Sequence, residues 1–481
     1  MKICASLTDT DLKSSLISCA LAKSQGADIV EIRFDYQKNC CPDDYIDITI
    51  PKIATVREIS DGGLFAGMRE EKQMILSSAI DSGFDYIDIE LNENTEMFSK
   101  CAKRSKIICS HHDFVKTPPP EEIVSTLRQA YEFGDIAKAA YAIQGIRDLL
   151  SLNVASKAAH DEGIKFVLIG MNDLGAITRI RANMLRSEFT FAALTQEMRS
   201  APGQLTVQEM KRLGNDPIIC GVIGDPISHS MSPAIHNAFM QSSGINGIYL
   251  PFRFTSDELP LLPDFMHSYG ITGVNVTIPH KESVLDYLDI LTDSVRETNA
   301  ANTVSVENNH LKGYNTDIQG FDYAFRDLSL KGKNVLIAGS GGAAAACCSF
   351  LHAKEARLHI HSRNAEKAEI MAKRFGGVYL SENELHEHAF DVLINCTPLG
   401  MKGFPSDLPF PKEWISEGMV VMDIVYNPKM TPLLIEAELK SASIIPGIEM
   451  LIGQAKESFF IFTGESVNKE LMHEMLCTWQ N

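Results

Sequence analysis

Lys138 stands in the strand-like run Ile136-Ala137-Lys138-Ala139-Ala140, where its neighbours along the chain are all small or apolar. A lysine in such surroundings loses hydration, its ammonium form becomes costly, and its amine becomes available to attack a carbonyl carbon and form an imine. The competing reading is a lysine whose stem lines a strand while its head reaches water. Other residues of the same half weigh against it. His112, in Ser110-His111-His112-Asp113-Phe114, offers a proton shuttle near neutral pH, and Arg33, Arg57 and Arg179 offer carboxylate recognition. Asp61, in Arg57-Glu58-Ile59-Ser60-Asp61-Gly62-Gly63, is placed to orient the histidine. A cationic imine draws electrons, so a proton on the carbon beside it becomes removable by His112. The expected product is a dehydrated or cleaved keto acid.

A second constellation lies in the other half. Lys333-Asn334-Val335-Leu336-Ile337-Ala338-Gly339-Ser340-Gly341-Gly342-Ala343-Ala344 reads as a buried strand, a tight glycine turn and a helix start. Small residues there let the backbone approach a pyrophosphate, which then sits on the helix N-terminus. The next strand-like run, Arg357 to His361, is followed by Ser362-Arg363-Asn364 and then Lys367, where an NAD site usually carries an acid. Arg363 and Lys367 suit a 2′-phosphate instead, so NADP is the expected cofactor. The polar blocks Gly224 to Pro233, Gly273 to Lys281, Ala301 to Val304 and Gly313 to Asp317 each end a strand-like run with hydroxyls, amides and few charges. Such groups suit a polyol that also bears a carboxylate.

The elements that must hold these groups fall into two patterns. Lys2–Ser6, Asp28–Arg33, Lys52–Val56, Tyr86–Glu90, Lys106–Ser110, Asp135–Ala140, Lys165–Gly170 and Glu188–Leu194 are apolar strand-like runs separated by longer amphipathic stretches. Eight such units in about 200 residues predict an α/β fold, a closed (β/α)₈ barrel whose active site is formed at the C-terminal ends of its strands. Glu31, Glu90 and Met171 stand at such ends together with the groups already named. A new strand-and-loop pattern starts at Ile218, after a polar stretch, and places the domain boundary near residue 214.

Composition bounds the partners. A net charge of -18 over 481 residues argues against a nucleic-acid or anionic-membrane surface. Eleven cysteines include the pairs Cys40-Cys41 and Cys347-Cys348 but no CxxC spacing, and the 14 histidines are scattered, so neither a disulfide framework nor a metal is expected. No apolar run approaches about 18 residues and a strand begins at Lys2, so a cytoplasmic protein without leader or membrane span is expected.

Glu31-Ile32-Arg33, Arg57 with Asp61-Gly62-Gly63, His112-Asp113-Phe114, Lys138, Thr178-Arg179 and Ser200-Ala201-Pro202-Gly203-Gln204 resemble, in order and spacing, the type I 3-dehydroquinate dehydratases. The resemblance covers about the first 210 residues. It implies Lys138 as the imine-forming lysine, His112 rather than His111 as general acid and base, and Asp61 in the place of the orienting carboxylate, where the family more often has Glu. It also implies Ser6, Glu31, Arg33, Arg57, Arg179, Ser200 and Gln204 around the substrate.

The polar blocks of the second half, with Asn395-Cys396-Thr397-Pro398-Leu399-Gly400-Met401 and Asp423-Ile424-Val425-Tyr426-Asn427-Pro428, resemble shikimate dehydrogenase. That resemblance implies Lys281 and Asp317 as the catalytic pair. It places Ser230, Ser232, Asn275, Thr277, Asn302, Tyr426 and Gln454 around shikimate, and Gly339, Ser340, Gly341, Gly342, Ala343, Ser362, Arg363, Asn364, Lys367, Ile424 and Gly447 around NADP. Many relatives carry a basic or larger residue where this chain continues Ala345-Ala346.

Together the resemblances imply a (β/α)₈ barrel over residues 1–213, fused to a two-lobed dehydrogenase over 214–481. Its substrate lobe is 218–318 with the helices from about 450 to 481, and its Rossmann lobe is 319–449. The implied reactions are dehydration of 3-dehydroquinate to 3-dehydroshikimate and its NADPH-dependent reduction to shikimate. Three rivals share parts of this pattern: a breakdown enzyme acting on quinate or shikimate with NAD, a metabolite-binding regulator, and a class I aldolase-like barrel. The oligomeric state is left open.

Overall fold

The computed structural model describes residues 1–37, 41–91, 104–200 and 203–480; Cys40, Ala201 and Pro202 lie outside them. The chain divides into two compact units, Met1–Pro217 with His267–Gly270, and Ile218–Met266 with Ile271–Asn481.

In the first unit the strands are β1 (Ile3–Leu7), β2 (Ile29–Arg33), β3 (Lys52–Thr55), β4 (Tyr86–Glu90), β5 (Lys106–Asp113), β6 (Ile136–Ala142), β7 (Phe166–Met171) and β8 (Thr190–Ala193). Their order is β7-β6-β5-β4-β3-β2-β1-β8, and every ladder is parallel. The eight strands expected from the alternation are all present. β7 and β8 meet without a ladder among the described residues. Their seam is bridged by the Glu188 amide to the Phe166 carbonyl at 2.8 Å and by the Leu168 amide to Ser187 Oγ at 3.1 Å.

Period two sorts each strand into an inner and an outer face. Cys4, Ile29, Ile53, Ile108, Ile136 and Val167 form an apolar layer inside the barrel. Burying each of the larger of these contributes about 1.5–3 kcal/mol. Two residues further along β1 to β6 the inner face turns polar, with Ser6, Glu31, Thr55, Asp88, Ser110 and Lys138, all buried, while β7 and β8 stay apolar at Ile169 and Phe191. Register keeps that layer level, since Ser6 pairs with Glu31 and Ser110 with Lys138. β5 runs three residues beyond its expected end at Ser110, to Asp113, which carries His112 on the strand itself.

The second unit has two six-stranded sheets. In the first, β9 (Ile218–Gly224), β10 (Gly247–Arg253), β11 (Gly273–Val276), β12 (Ile290–Leu291), β13 (Thr303–Glu307) and β14 (His310–Tyr314) are ordered β10-β9-β11-β13-β14-β12, with β13 antiparallel to both neighbours. In the second, β15 (Asn334–Ala338), β16 (Arg357–His361), β17 (Val378–Tyr379), β18 (Val392–Asn395), β19 (Val420–Asp423) and β20 (Ser443–Ile445) are ordered β17-β16-β15-β18-β19-β20. That is the 3-2-1-4-5-6 order of a dinucleotide-binding sheet, all parallel. The helix Gly447–Thr463 leaves this sheet and buries Ile448, Ile452, Ala455, Phe459 and Phe462 against Cys220, Val222, Ile235 and Phe239 of the first.

Candidate active sites

Ser6, Glu31, Arg33, Arg57, Asp61, His112, Lys138, Arg179, Ser200 and Gln204 all line one cavity at the C-terminal end of the barrel, together with Gly62, Phe114, Ala140, Ile169, Met171 and Phe191. Strand register brings Ser6, Glu31, Arg33, His112 and Lys138 together from inner strand faces, while Arg57, Asp61, Arg179, Ser200 and Gln204 reach the cavity from the segments that follow strand ends.

Lys138 is not alone there. Its Nζ donates to Asp88 Oδ2 at 2.8 Å, lies 4.0 Å from Glu31 Oε1 and sits 4.5 Å from the centre of the Phe191 ring. Reading the lysine from its small, apolar neighbours therefore missed Asp88, which the alternation of Asp88-Ile89-Glu90 places on the same face as Glu90. Burial alone would raise the Asp88 carboxyl, but the Arg57 and Lys138 cations outweigh it and hold it well below the usual carboxylate range. Asp88 is thus a fixed anion that grips both cations.

The three arginines are not equivalent. Arg33 is taken up by Asp35 through two bonds of 2.8 and 2.7 Å. Arg57 donates to Asp88 at 2.8 Å, and to Glu90 and Ser110 at 2.9 Å each. Burial opposes the Arg57 cation, yet the carboxylates of Asp88, Glu90 and Glu31 raise its pKa further. Both line the cavity, but with their charge already matched, which corrects the expectation that all three offer themselves equally to a carboxylate. Arg179 differs. Its NH1 donates to the Gly170 carbonyl at 2.8 Å, its Nε is buried without a partner among the described residues, and burial lowers its pKa to about 10.

His112 stacks on Phe114 at 6.0 Å and 10°, and its Nδ1 is closed off from solvent without a partner among the described residues. Burial first, and then the Arg57 and Lys138 cations, hold its pKa well below the ordinary value, which favours the uncharged ring. His111 points to the other face and packs 5.8 Å from Tyr141. Asp61 accepts from Ser60 Oγ at 2.9 Å, while the contacts of the histidine run to Phe114 instead. The expected Asp61 to His112 bond is therefore not formed in this structure, as the short aspartate side chain would suggest. Ser200 and Gln204 are joined to each other, the Ser200 amide donating to Gln204 Oε1 at 3.0 Å.

In the second unit Lys281 Nζ donates to Asp317 Oδ2, and Asp317 Oδ1 accepts from Asn302 Nδ2 at 2.8 Å. Asn302 in turn accepts from the Thr316 amide at 2.7 Å and reaches Gln454 Oε1 at 3.5 Å. Burial raises the Tyr426 phenol, with the Met231 backbone and Ser230 nearby acting the other way; Ser230 Oγ accepts from the Ser232 amide at 3.3 Å. Thr277 follows β11, its amide donating to Ile223 at 3.0 Å. Asn275 is committed to the framework: its Oδ1 accepts from Tyr249 at 2.7 Å and its Nδ2 donates to Thr303 at 3.0 Å. Tyr249 carried no sequence signal that would have singled it out.

The helix Gly342–Ala353 starts against this pair, since a Cβ on Gly342 would meet Ala300 at 3.0 Å and the Lys281 Cβ at 3.3 Å. No side chain caps that helix, and the space at Gly341 is open, so its first amides are available to a pyrophosphate, which fits a dinucleotide. Gly339 turns at φ 119°, a backbone that favours glycine. Ser340 and Ser362 Oγ are 2.8 Å apart, and Ala343 follows on the helix. Arg363 is exposed, Asn364 caps the next helix through the Lys367 amide at 3.0 Å, and Lys367 Nζ lies 3.0 Å from Glu282. A Cβ on Gly447 would meet the Ile424 carbonyl at 2.4 Å.

Residues 3–215 match the family model for Type I 3-dehydroquinase, 222–304 that for the shikimate dehydrogenase substrate binding domain, 322–400 that for Shikimate / quinate 5-dehydrogenase, and 447–476 that for the Shikimate 5'-dehydrogenase C-terminal domain. Across both units, the chain is 32% identical over 511 aligned positions to the chloroplastic bifunctional 3-dehydroquinate dehydratase/shikimate dehydrogenase of Arabidopsis thaliana, covering 98% of this chain and 84% of that protein. The chain belongs to that bifunctional family.

The second unit alone is 39% identical over 271 residues to shikimate dehydrogenase (NADP(+)) of Methanothermobacter thermautotrophicus, covering 54% of this chain and 95% of that protein. It also resembles the crystal structure of shikimate 5-dehydrogenase from Thermus thermophilus in complex with NADP(H) and shikimate, with TM-score 0.51 and 31% identity over 55% of this chain and 99% of that one. The pairing of a dehydroquinase barrel with a shikimate dehydrogenase fold, expected from two separate sets of motifs, is what the bifunctional relative contains. Among the described residues no helix is long and apolar enough to cross a membrane.

Proposed function

We propose that the barrel dehydrates 3-dehydroquinate and that the second unit reduces the product, 3-dehydroshikimate, to shikimate with NADPH. The observation that carries the barrel reading is a buried lysine, a histidine whose Nδ1 has no partner and an arginine with no acid partner among the described residues, all around one cavity. Arg179 takes the substrate carboxylate, which supplies the counter-ion its position lacks. Lys138 Nζ attacks the ketone, and loss of water gives the imine. His112 then removes a proton from the carbon beside the imine, and the hydroxyl on the next carbon leaves as water with a proton returned to it. Hydrolysis frees the enone and the lysine. Glu31 and Ser6 are joined by a 2.5 Å bond and fix the rim beside Lys138.

In the second unit Lys281 and Asp317 hold the proton that reaches the carbonyl oxygen as the ring carbon is reduced. NADPH supplies the hydride when bound. Asn302 fixes Asp317, Ser230, Ser232, Thr277, Tyr426 and Gln454 receive the hydroxyls and carboxylate, and Asn275 supports them from behind. Gly339 to Ala343 cradle the pyrophosphate, and Arg363 with Lys367 take the 2′-phosphate, which favours NADP over the NAD expected of a breakdown enzyme. Residues 1–213 and 214–481 are taken as the two enzymes, with 319–449 as the cofactor lobe. Nine described cysteines are free, which suits a reducing, cytoplasmic setting.

A paired assay tests the reading. Purified chain given 3-dehydroquinate should generate the absorbance of a conjugated enone, and NADPH added afterwards should be oxidised. Absence of enone with intact oxidation of NADPH on supplied 3-dehydroshikimate would reject the barrel half, and silence in both would favour a regulator.

A further inference from the structure

Lys72 has no part in the chemistry above, yet it is 1% exposed and lies on the outer helix Arg69–Asp81 rather than in the cavity. Its Nζ donates to Glu90 Oε2, and to Glu58 Oε1 at 3.2 Å. Glu90 uses its other oxygen, Oε1, for Arg57 NH1 at 2.9 Å. Arg57 NH2 reaches Asp88 Oδ1 at 2.8 Å, and Asp88 Oδ2 reaches Lys138 at 2.8 Å. The five side chains form one buried series of alternating sign, Lys72, Glu90, Arg57, Asp88, Lys138, running from a surface helix to the reacting amine.

We infer that Lys72 is a positioning residue for the dehydratase: by neutralising Glu90 it leaves Arg57 free to hold Asp88, and so sets the charge that Lys138 feels. Without it, Glu90 draws Arg57 outward and the negative field of Asp88 beside Lys138 is less compensated. Lys138 also meets Glu31, His112 and the thiol of Cys4 and shares its cavity with Arg179, while Lys72 meets Glu58 and Glu90. Replacing Lys72 alone by an apolar side chain leaves Glu90 without that cation and costs stability as well as position, so a shift in the pH profile is what separates the two roles.

The inference rests on the imine reading, so the first measurement is borohydride trapping of the wild-type chain with 3-dehydroquinate, followed by mass spectrometry. An adduct at Lys138 upholds that reading; its absence in the wild type rejects the imine reading before Lys72 is in question. Lys72→Met is then compared with Lys72→Arg across pH, with NADPH oxidation on 3-dehydroshikimate as the control for an intact chain. Lys72→Met should move the acidic limb of dehydratase kcat/KM upward by about one pH unit, the effect of one neighbouring charge. Trapping should fall about tenfold below that limb, and Lys72→Arg should restore both. Glu90→Gln should move the limb in the opposite direction, which keeps the test open should Lys72→Met fail to fold. An unmoved limb in whichever of these variants folds, or a failure of Lys72→Arg to rescue while NADPH oxidation is intact, would overturn the assignment.

Discussion

Arg179 and Arg57 carry the same side chain into the same cavity, and their partners separate them. Arg57 is matched by Asp88 and Glu90, whereas Arg179 donates to a carbonyl and keeps a buried Nε without a partner among the described residues. Removing a charge-assisted bond to a carboxylate costs about 1.5–3 kcal/mol. Arg179→Met should therefore raise the dehydratase KM by roughly tenfold to a hundredfold. Steady-state enone formation against 3-dehydroquinate concentration measures it, and an unchanged KM would remove Arg179 from the carboxylate site. The matched pairing of Arg57 was hidden in the sequence because Asp88 is 31 positions away and meets it only through the register of β3 and β4.

At the scale of elements, the outcome depends on how strands end. β5 reaches Asp113 and β6 reaches Ala142, so His112 and Lys138 are held by ladder bonds rather than by loops. In the second unit the start of the helix Gly447–Thr463 lies so close to the Ile424 carbonyl that a side chain has no room. Gly447→Ala should destabilise that packing by about 1–3 kcal/mol through forced backbone movement. It should also weaken NADP binding while leaving enone formation unchanged. Calorimetric titration with NADP together with the dehydratase assay checks both. Equal affinity for NADP in the variant would show that this close approach does not shape the cofactor site.

For the whole molecule, two units with separate cores imply separable activities. Lys138→Ala should abolish dehydration by several orders of magnitude and leave reduction of supplied 3-dehydroshikimate intact, and Lys281→Ala should do the reverse. Loss of both activities from either change would mean that the units depend on one another. Stability against acid has its own marker in His236, which is fully buried, stacks on Tyr249 at 4.2 Å and has neither ring nitrogen bonded among the described residues. Burial depresses its pKa to about 3, below the 6.5 expected when unfolded. Between these values the unfolded chain binds the extra proton, so stability falls as pH drops, by up to about 1.4 kcal/mol per pH unit. His236→Phe should remove that slope and lower the pH at which the second unit unfolds. Both tryptophans, Trp414 and Trp479, lie in that unit, so their fluorescence during acid titration reports it directly. An unchanged midpoint would rule out His236 as a source of acid lability.

What the residues alone determined was the fold class and the chemistry. Strand-like runs recur eight times because each needs a buried inner face, and the glycine turn before Gly342 is legible because a pyrophosphate site demands small residues and a helix start at fixed spacing. Tertiary structure decided which charges are free. Lys138 looked isolated along the chain but shares a carboxylate with Arg57. Asp61 is expected beside the histidine from the resemblance but bonds to Ser60. Lys72, on an outer helix, is buried against Glu90. Period and spacing are local and survive in a one-dimensional reading, whereas the pairing of buried charges depends on strands and helices distant in sequence coming within about 3 Å of one another.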